Sequence, residues 1–417
     1  KALAFNKSSS SRKNAWKNLM NKGDFAHNTQ VYKQGNGEII PCKRPRLETP
    51  GTQYVQCKEC LGTYLSSDLW RHVRNAHPNK KSLNKTKISH QVESASLLPV
   101  SSVARQDFRE KILDRMANDE ISLIARADID IVTYGQRQFQ KQQRNNHQYN
   151  YIRQKMRELA RFVKAARADD ASVTTLRDCI DPVKFHVCVN AVKSLCGYNT
   201  SNMMFDTPSL AKKIGHSLHT VARKIRTTGI TEGKKDLQEK AIHFIEVYKE
   251  DWEIEISHAA LETLNIQKYN KPKRIPLAQD LKQLSVHLKA KADMLSEIMA
   301  DNAIVTPTQW RDLCEITLAQ VVLFNKRRAG EAERLEVHQY VDGIKHGKTM
   351  QEEVVLSLTP LEQKLAEVID RVELRGKRGR RVAILLPQNL RKQLDILLKY
   401  RSRCNIIKEN KYIFARH

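Results

Sequence analysis

Four residues in the stretch YVQCKECLGTYLSSDLWRHVRNAH have the side chains and spacing of metal ligands: Cys57 and Cys60, then His72 and His77. Two thiolates from a turn and two imidazoles one turn apart on a helix close a tetrahedral site with no open position, which is how structural zinc is held. A unit this short folds only around its ion, so structural Zn2+ is the expected cofactor. Tyr64 and Leu69 fall where its small core belongs. A second group is cationic. In VVLFNKRRAGEAERLEV, Lys326, Arg327 and Arg328 close an apolar run, and Glu331 and Glu333 follow at once. Such a group either solvates a helix end or grips a phosphate through the planar guanidinium fork.

Composition narrows the partners. The 417 residues hold 72 Lys and Arg against 46 Asp and Glu, a formal net charge of +26, and the cations run through the whole chain. Such a surface attracts polyanions over long range and binds phosphates with release of counterions. Double-stranded DNA is the expected partner. No apolar run of membrane-spanning length and no signal-peptide core is visible, so a soluble, intracellular protein with no membrane association is expected. Eight cysteines spread over this length do not make a disulfide framework. The start at Lys1 and the stop at KYIFARH read as the ends of a fragment.

Several elements must position these groups. Residues 1–50 read as a basic, partly disordered arm with one helical stretch around RKNAWKNLMNKG and a cluster, CKRPRLE, of the kind that directs proteins to the nucleus. Residues 51–79 are the metal unit, and 80–104 a polar linker. From 105 to 300 apolar residues recur at three- and four-residue spacing, which predicts an all-helical domain. Thr207-Pro208 is a helix start within it. The stretch LAKKIGHSLHTVARKI invites a helix-turn-helix reading, but a basic amphipathic helix containing Gly215 accounts for it better. Residues 301–417 are expected to be mixed α and β. Thr306-Pro307 opens a helix, TPLE at 359–362 matches a capping box, and EVHQYVDG reads as extended. RVELRGKRGRRVAILLP reads as two strands joined by a Gly376–Gly379 tip, and LRKQLDILLKYRSR resumes a helix.

The metal unit is similar to the Cys2His2 zinc finger of ββα form, although eleven residues separate Cys60 from His72 where that pattern has twelve. In such a finger Leu65, Asp68 and Arg71 would face base edges, and only Arg71 suits that task. Backbone docking or partner contact is therefore the favoured use of the module. Arg328, Glu331 and Leu335 form R-x-x-E-x-x-x-L, which resembles the first arginine box of the tyrosine recombinase, or phage integrase, family. RGKRGRRVAILLP resembles the β-hairpin of that family. The resemblance implies that Arg328 clamps the scissile phosphate, that Lys377 protonates the leaving oxygen, with Lys345 and Lys348 as competitors, and that Glu331 orients the guanidinium. It implies phosphotyrosyl strand transfer within a clamp of a helical core-binding domain and an α+β catalytic domain.

The expected architecture is thus mainly α: a small finger, an all-helical core-binding-like domain, and the N-terminal part of a tyrosine-recombinase-like catalytic domain. Arg71, Arg327, Arg328, Arg378, Arg380 and Arg381 are the candidate contacts to nucleic acid. No H-x-x-R box or late tyrosine nucleophile follows, and Tyr400 and Tyr412 come too early. The chain as it stands is accordingly expected to bind DNA in the nucleus without cutting it, with self-association on DNA left open. It is similar to animal proteins of mobile-element origin that carry recombinase-like domains. The alternative is a non-catalytic zinc-finger DNA-binding or chromatin regulator of transposon origin.

Overall fold

A computed structural model describes residues 10–34, 37–43, 51–78, 90–142, 146–269, 276–301, 305–326, 328–346, 356–376 and 380–416. The fold is mainly helical, with three two-stranded antiparallel sheets among these residues. No described helix is long and apolar enough to cross a membrane. The chain divides into two compact units, Lys1–Lys271 and Pro272–His417.

The first unit begins with α1 (Ser10–Gln34), then β1 (Tyr54–Gln56), β2 (Thr63–Leu65) and α2 (Leu69–Ala76). The helical arm therefore runs well beyond RKNAWKNLMNKG, while residues 44–48 of the basic cluster lie outside the described residues. Part of the segment read as a linker is also built in. Its α3 (His90–Ala95) packs on β1, where Ser94 Oγ accepts from the Gln56 amide at 2.9 Å.

The remaining helices of this unit are α4 (Gln106–Lys111), α5 (Glu120–Ala127), α6 (Ile129–Lys141), α7 (Tyr149–Asp169), α8 (Phe185–Leu195), α9 (Pro208–Thr231), α10 (Lys235–Trp252) and α11 (His258–Tyr269), with a small β3–β4 hairpin (Tyr198–Asn199, Met204–Phe205) after α8. Their period-3.6 apolar faces build one core, with Phe108, Phe162, Phe185 and Phe244 fully buried. Helix α7 touches α5, α6, α8 and α9. Helix α9 runs unbroken through Gly215, where a Cβ would lie 2.4 Å from Trp252 Nε1. The glycine lets the buried indole approach the backbone; it does not mark a turn between two helices. Asp119 caps α5 by accepting from Ser122 N at 2.9 Å, and Arg157 of α7 grips the same carboxylate at 2.7 Å through two nitrogens.

The second unit comprises α12 (Ala278–Asp301), α13 (Pro307–Asn325), α14 (Ala329–Ala332), α15 (Val337–His346), α16 (Pro360–Val368), β5 (Ile369–Arg375), β6 (Arg381–Pro387) and α17 (Gln388–Tyr400). Here two sequence expectations are corrected. Helix α12 does not end the helical domain at residue 300; Ala292, Leu295 and Met299 belong to the core around Trp310, so the division falls at 271/272. EVHQYVDG is also not extended. Val337, Tyr340, Val341 and Ile344 recur with helical spacing and pack α15 on that core. Both threonine-proline starts, Thr306 and Thr359, carry complete capping boxes with Gln309 and Glu362. Strands β5 and β6 pair from Ile369↔Pro387 to Arg375↔Arg381, as the glycine-flanked tip predicts.

Candidate metal centre and cationic site

Strand pairing at Gln56↔Thr63 brings the Cys57–Cys60 turn over His72 of α2 and His77, the residue that caps the end of that helix. One donor atom from each of these four residues lies within 4.8 Å of all the others. His72 Nε2 is 3.3 Å from Cys60 Sγ. His77 Nε2 is buried and has no hydrogen-bond partner. An orphaned imidazole nitrogen beside two thiols is what a metal ion would satisfy, so this group can hold one. The Cys57 thiol donates towards Cys60, which lowers the Cys60 thiol and raises that of Cys57; an ion would take both as thiolates. Burial lowers the His72 pKa and so favours the neutral imidazole that a ligand must be.

Around the ligands, Val55 and Leu69 are fully enclosed, with Tyr64 and Val73 against them. Tyr64 stacks on the His72 ring at 3.9 Å between centroids. What the sequence did not reveal is how α1 holds this unit. Asn21 Nδ2 donates to Cys60 O at 3.0 Å, inside the ligand turn, and Asn28 Nδ2 donates to Thr63 Oγ1 at 3.0 Å and Ile40 O at 2.9 Å. Both asparagines are buried. An asparagine pair seven residues apart on a helix is the signal that was available, but apolar periodicity does not detect it.

Of the three positions that would face bases, Asp68 is the N-cap residue of α2, Leu65 ends β2, and Arg71 stands 3.6 Å from Asp68 with its guanidinium 5.5 Å from the Trp70 ring centroid. All three line a cleft whose other walls include Lys17 of α1 and Lys43.

In the second unit Arg328 occupies the N-cap position of α14, and its side chain is 75% exposed. Its Nη1 donates to Glu331 Oε1 at 3.3 Å, while the Glu331 side chain is almost fully buried. The β-hairpin approaches the same carboxylate: a Cβ on Gly376 would lie 3.6 Å from Glu331 Oε1. The base of the hairpin tip and the arginine are thus neighbours of one buried acid.

Lys377 and Arg378 themselves, like Arg327 and Lys348, lie outside the described residues. Arg380, just before β6, and Arg381, its first residue, are both exposed, with Arg381 3.8 Å from Glu373. Lys345 is exposed on α15. A residue absent from the sequence reading, Asn325, ties this arrangement together. It donates to Val321 O and Leu385 O, both at 3.0 Å, and accepts from Leu385 N at 2.7 Å, which pins β6 to the end of α13 just before Arg328. Tyr340 is committed elsewhere, donating to Asp395 Oδ1 at 2.7 Å.

Comparison with protein families, curated proteins and solved structures returns no match for this chain. Site geometry and charge therefore carry the functional argument.

Proposed function

We propose that the protein binds duplex DNA through its phosphates and is related to the tyrosine recombinases, with Arg328 as a phosphate clamp and Lys377, which follows Gly376 in the sequence, as the proton donor to the leaving oxygen. The observation that carries this reading is the meeting of Arg328 and Gly376 at the single carboxylate of Glu331. A mostly exposed guanidinium steadied by a buried acid keeps donors free for phosphate oxygens, and fixed cations there stabilise charge that develops on a reacting phosphoryl group. A formal charge of +26 supplies the long-range attraction. Zinc is the proposed ion at Cys57, Cys60, His72 and His77, in a structural role. A nuclear location follows from the DNA partner and the basic arm.

The test is Arg328→Ala against a duplex with a nicked or phosphotyrosyl-mimicking site and against random duplex. Binding to the modified site should fall by roughly tenfold more than to random duplex, the scale of one charge-assisted contact. Equal losses on both would reduce Arg328 to one surface charge among many.

A further inference from the structure

A recess between α6 and α9 lies outside both groups of residues described above. Arg137 and Lys141, one turn apart on α6, face it together with Lys224 of α9, and Gln138 and Thr220 add polar wall. Among the described residues neither Arg137 nor Lys141 has an ion-pair or hydrogen-bond partner. Asp130 also lines the recess, but its carboxylate is already spent: Arg177 grips both oxygens, at 2.9 and 3.0 Å. Glu232, which feels the charge of Lys224, is held by Lys234 at 2.7 Å. Three cations thus share one concave site with no free counter-charge among the described residues. Bringing like charges together costs Coulomb energy that an anion in the recess would relieve.

We infer that this recess is a phosphate site, taking a phosphodiester of the duplex backbone on the helical unit. Arg137 offers two oxygens a planar fork, while Lys141 and Lys224 act as point charges on either side. The inference rests on the DNA-binding reading for the source of the phosphate, but not for the site itself.

The experiment uses the full chain, an Arg137→Gln/Lys224→Gln double variant, and a charge-matched Lys282→Gln/Lys289→Gln control whose exposed side chains lie on α12. All three should give the same circular dichroism. Duplex affinity of the double variant should fall by roughly tenfold beyond the control, and its salt dependence should become shallower by about one charge. Equal changes in variant and control would overturn the site and leave the DNA reading intact. If the unaltered chain fails to bind duplex at all, the DNA reading fails, and pyrophosphate decides the site. A rise in melting temperature with pyrophosphate that the double variant loses retains the recess as a site for a small phosphate; no rise ends it.

Discussion

Arg328 and Glu331 form an ion pair in which one side chain is mostly exposed and the other enclosed. Pairs open to solvent contribute only about 0–1 kcal/mol, so this one orients the guanidinium more than it stabilises the unit. Glu331→Gln should leave the melting temperature of the unit within about a degree or two while weakening the preference for the modified phosphate site several-fold. A large loss of stability with preference unchanged would show Glu331 to be a core residue and nothing more. Asp119 makes the opposite case. Burial pushes its carboxyl up, but the Arg157 fork and the Ser122 amide outweigh that and hold it below the usual aspartate range. Its contribution is therefore complete above the ordinary value, about 4, and is lost as pH falls through the folded value. Asp119→Asn should cost stability near pH 7, and the gap to wild type should close as pH falls below the ordinary aspartate range in paired thermal melts. A gap independent of pH would mean that the carboxylate's charge does not matter.

Elements whose cues are local were legible in the sequence. Thr306-Pro307 and Thr359-Pro360 start helices because their capping residues lie within one turn, and the glycines at 376 and 379 mark in the sequence the break between paired β5 and β6 for the same reason. Long-range packing decides the rest. Glu336 to Gly343 reads as extended over a short window, but Val337–His346 folds as a helix because Tyr340 reaches the core and donates to Asp395. The docking of α1 rests on Asn21 and Asn28, polar residues whose buried partners lie far along the chain. Asn325 is of the same kind. Removing its three hydrogen bonds, at about 1 kcal/mol each, by Asn325→Ala should lower the stability of the second unit by about 1–3 kcal/mol. Hydrogen exchange should then rise along β6, and equal protection in variant and wild type would show that the strand is held without the clip. At Gly215 the error would be excess volume: Gly215→Ala drives a methyl into Trp252. Overpacking of this kind costs about 1–3 kcal/mol, visible as an early melt of the first unit.

At the scale of the molecule, the metal unit is not an independent bead on the chain, since it shares hydrogen bonds with α1 and α3 inside one compact unit. Its own apolar core is small, with Val55 and Leu69 the enclosed aliphatic side chains. Full burial of such a side chain is worth about 1.5–3 kcal/mol, whereas each ordered residue costs about 1–2 kcal/mol of backbone entropy. An ion held by the four ligand residues would supply the difference. Chelation should remove amide protection from residues 54–77, and because Asn21 bonds to the Cys60 carbonyl, protection along the middle of α1 should go with it. The core around Phe108, Phe162 and Phe244 is a separate cluster from the one that holds Val55, Cys57 and Leu69, and it should keep the protection of α7 and α9. Hydrogen exchange with and without a chelator reads all three regions at once. Unchanged exchange at 54–77 in metal-free protein would refute the ligand set; loss of protection across α7 and α9 would show that an ion at these ligands holds the whole first unit together, and that residues 54–77 are its keystone instead of its appendage.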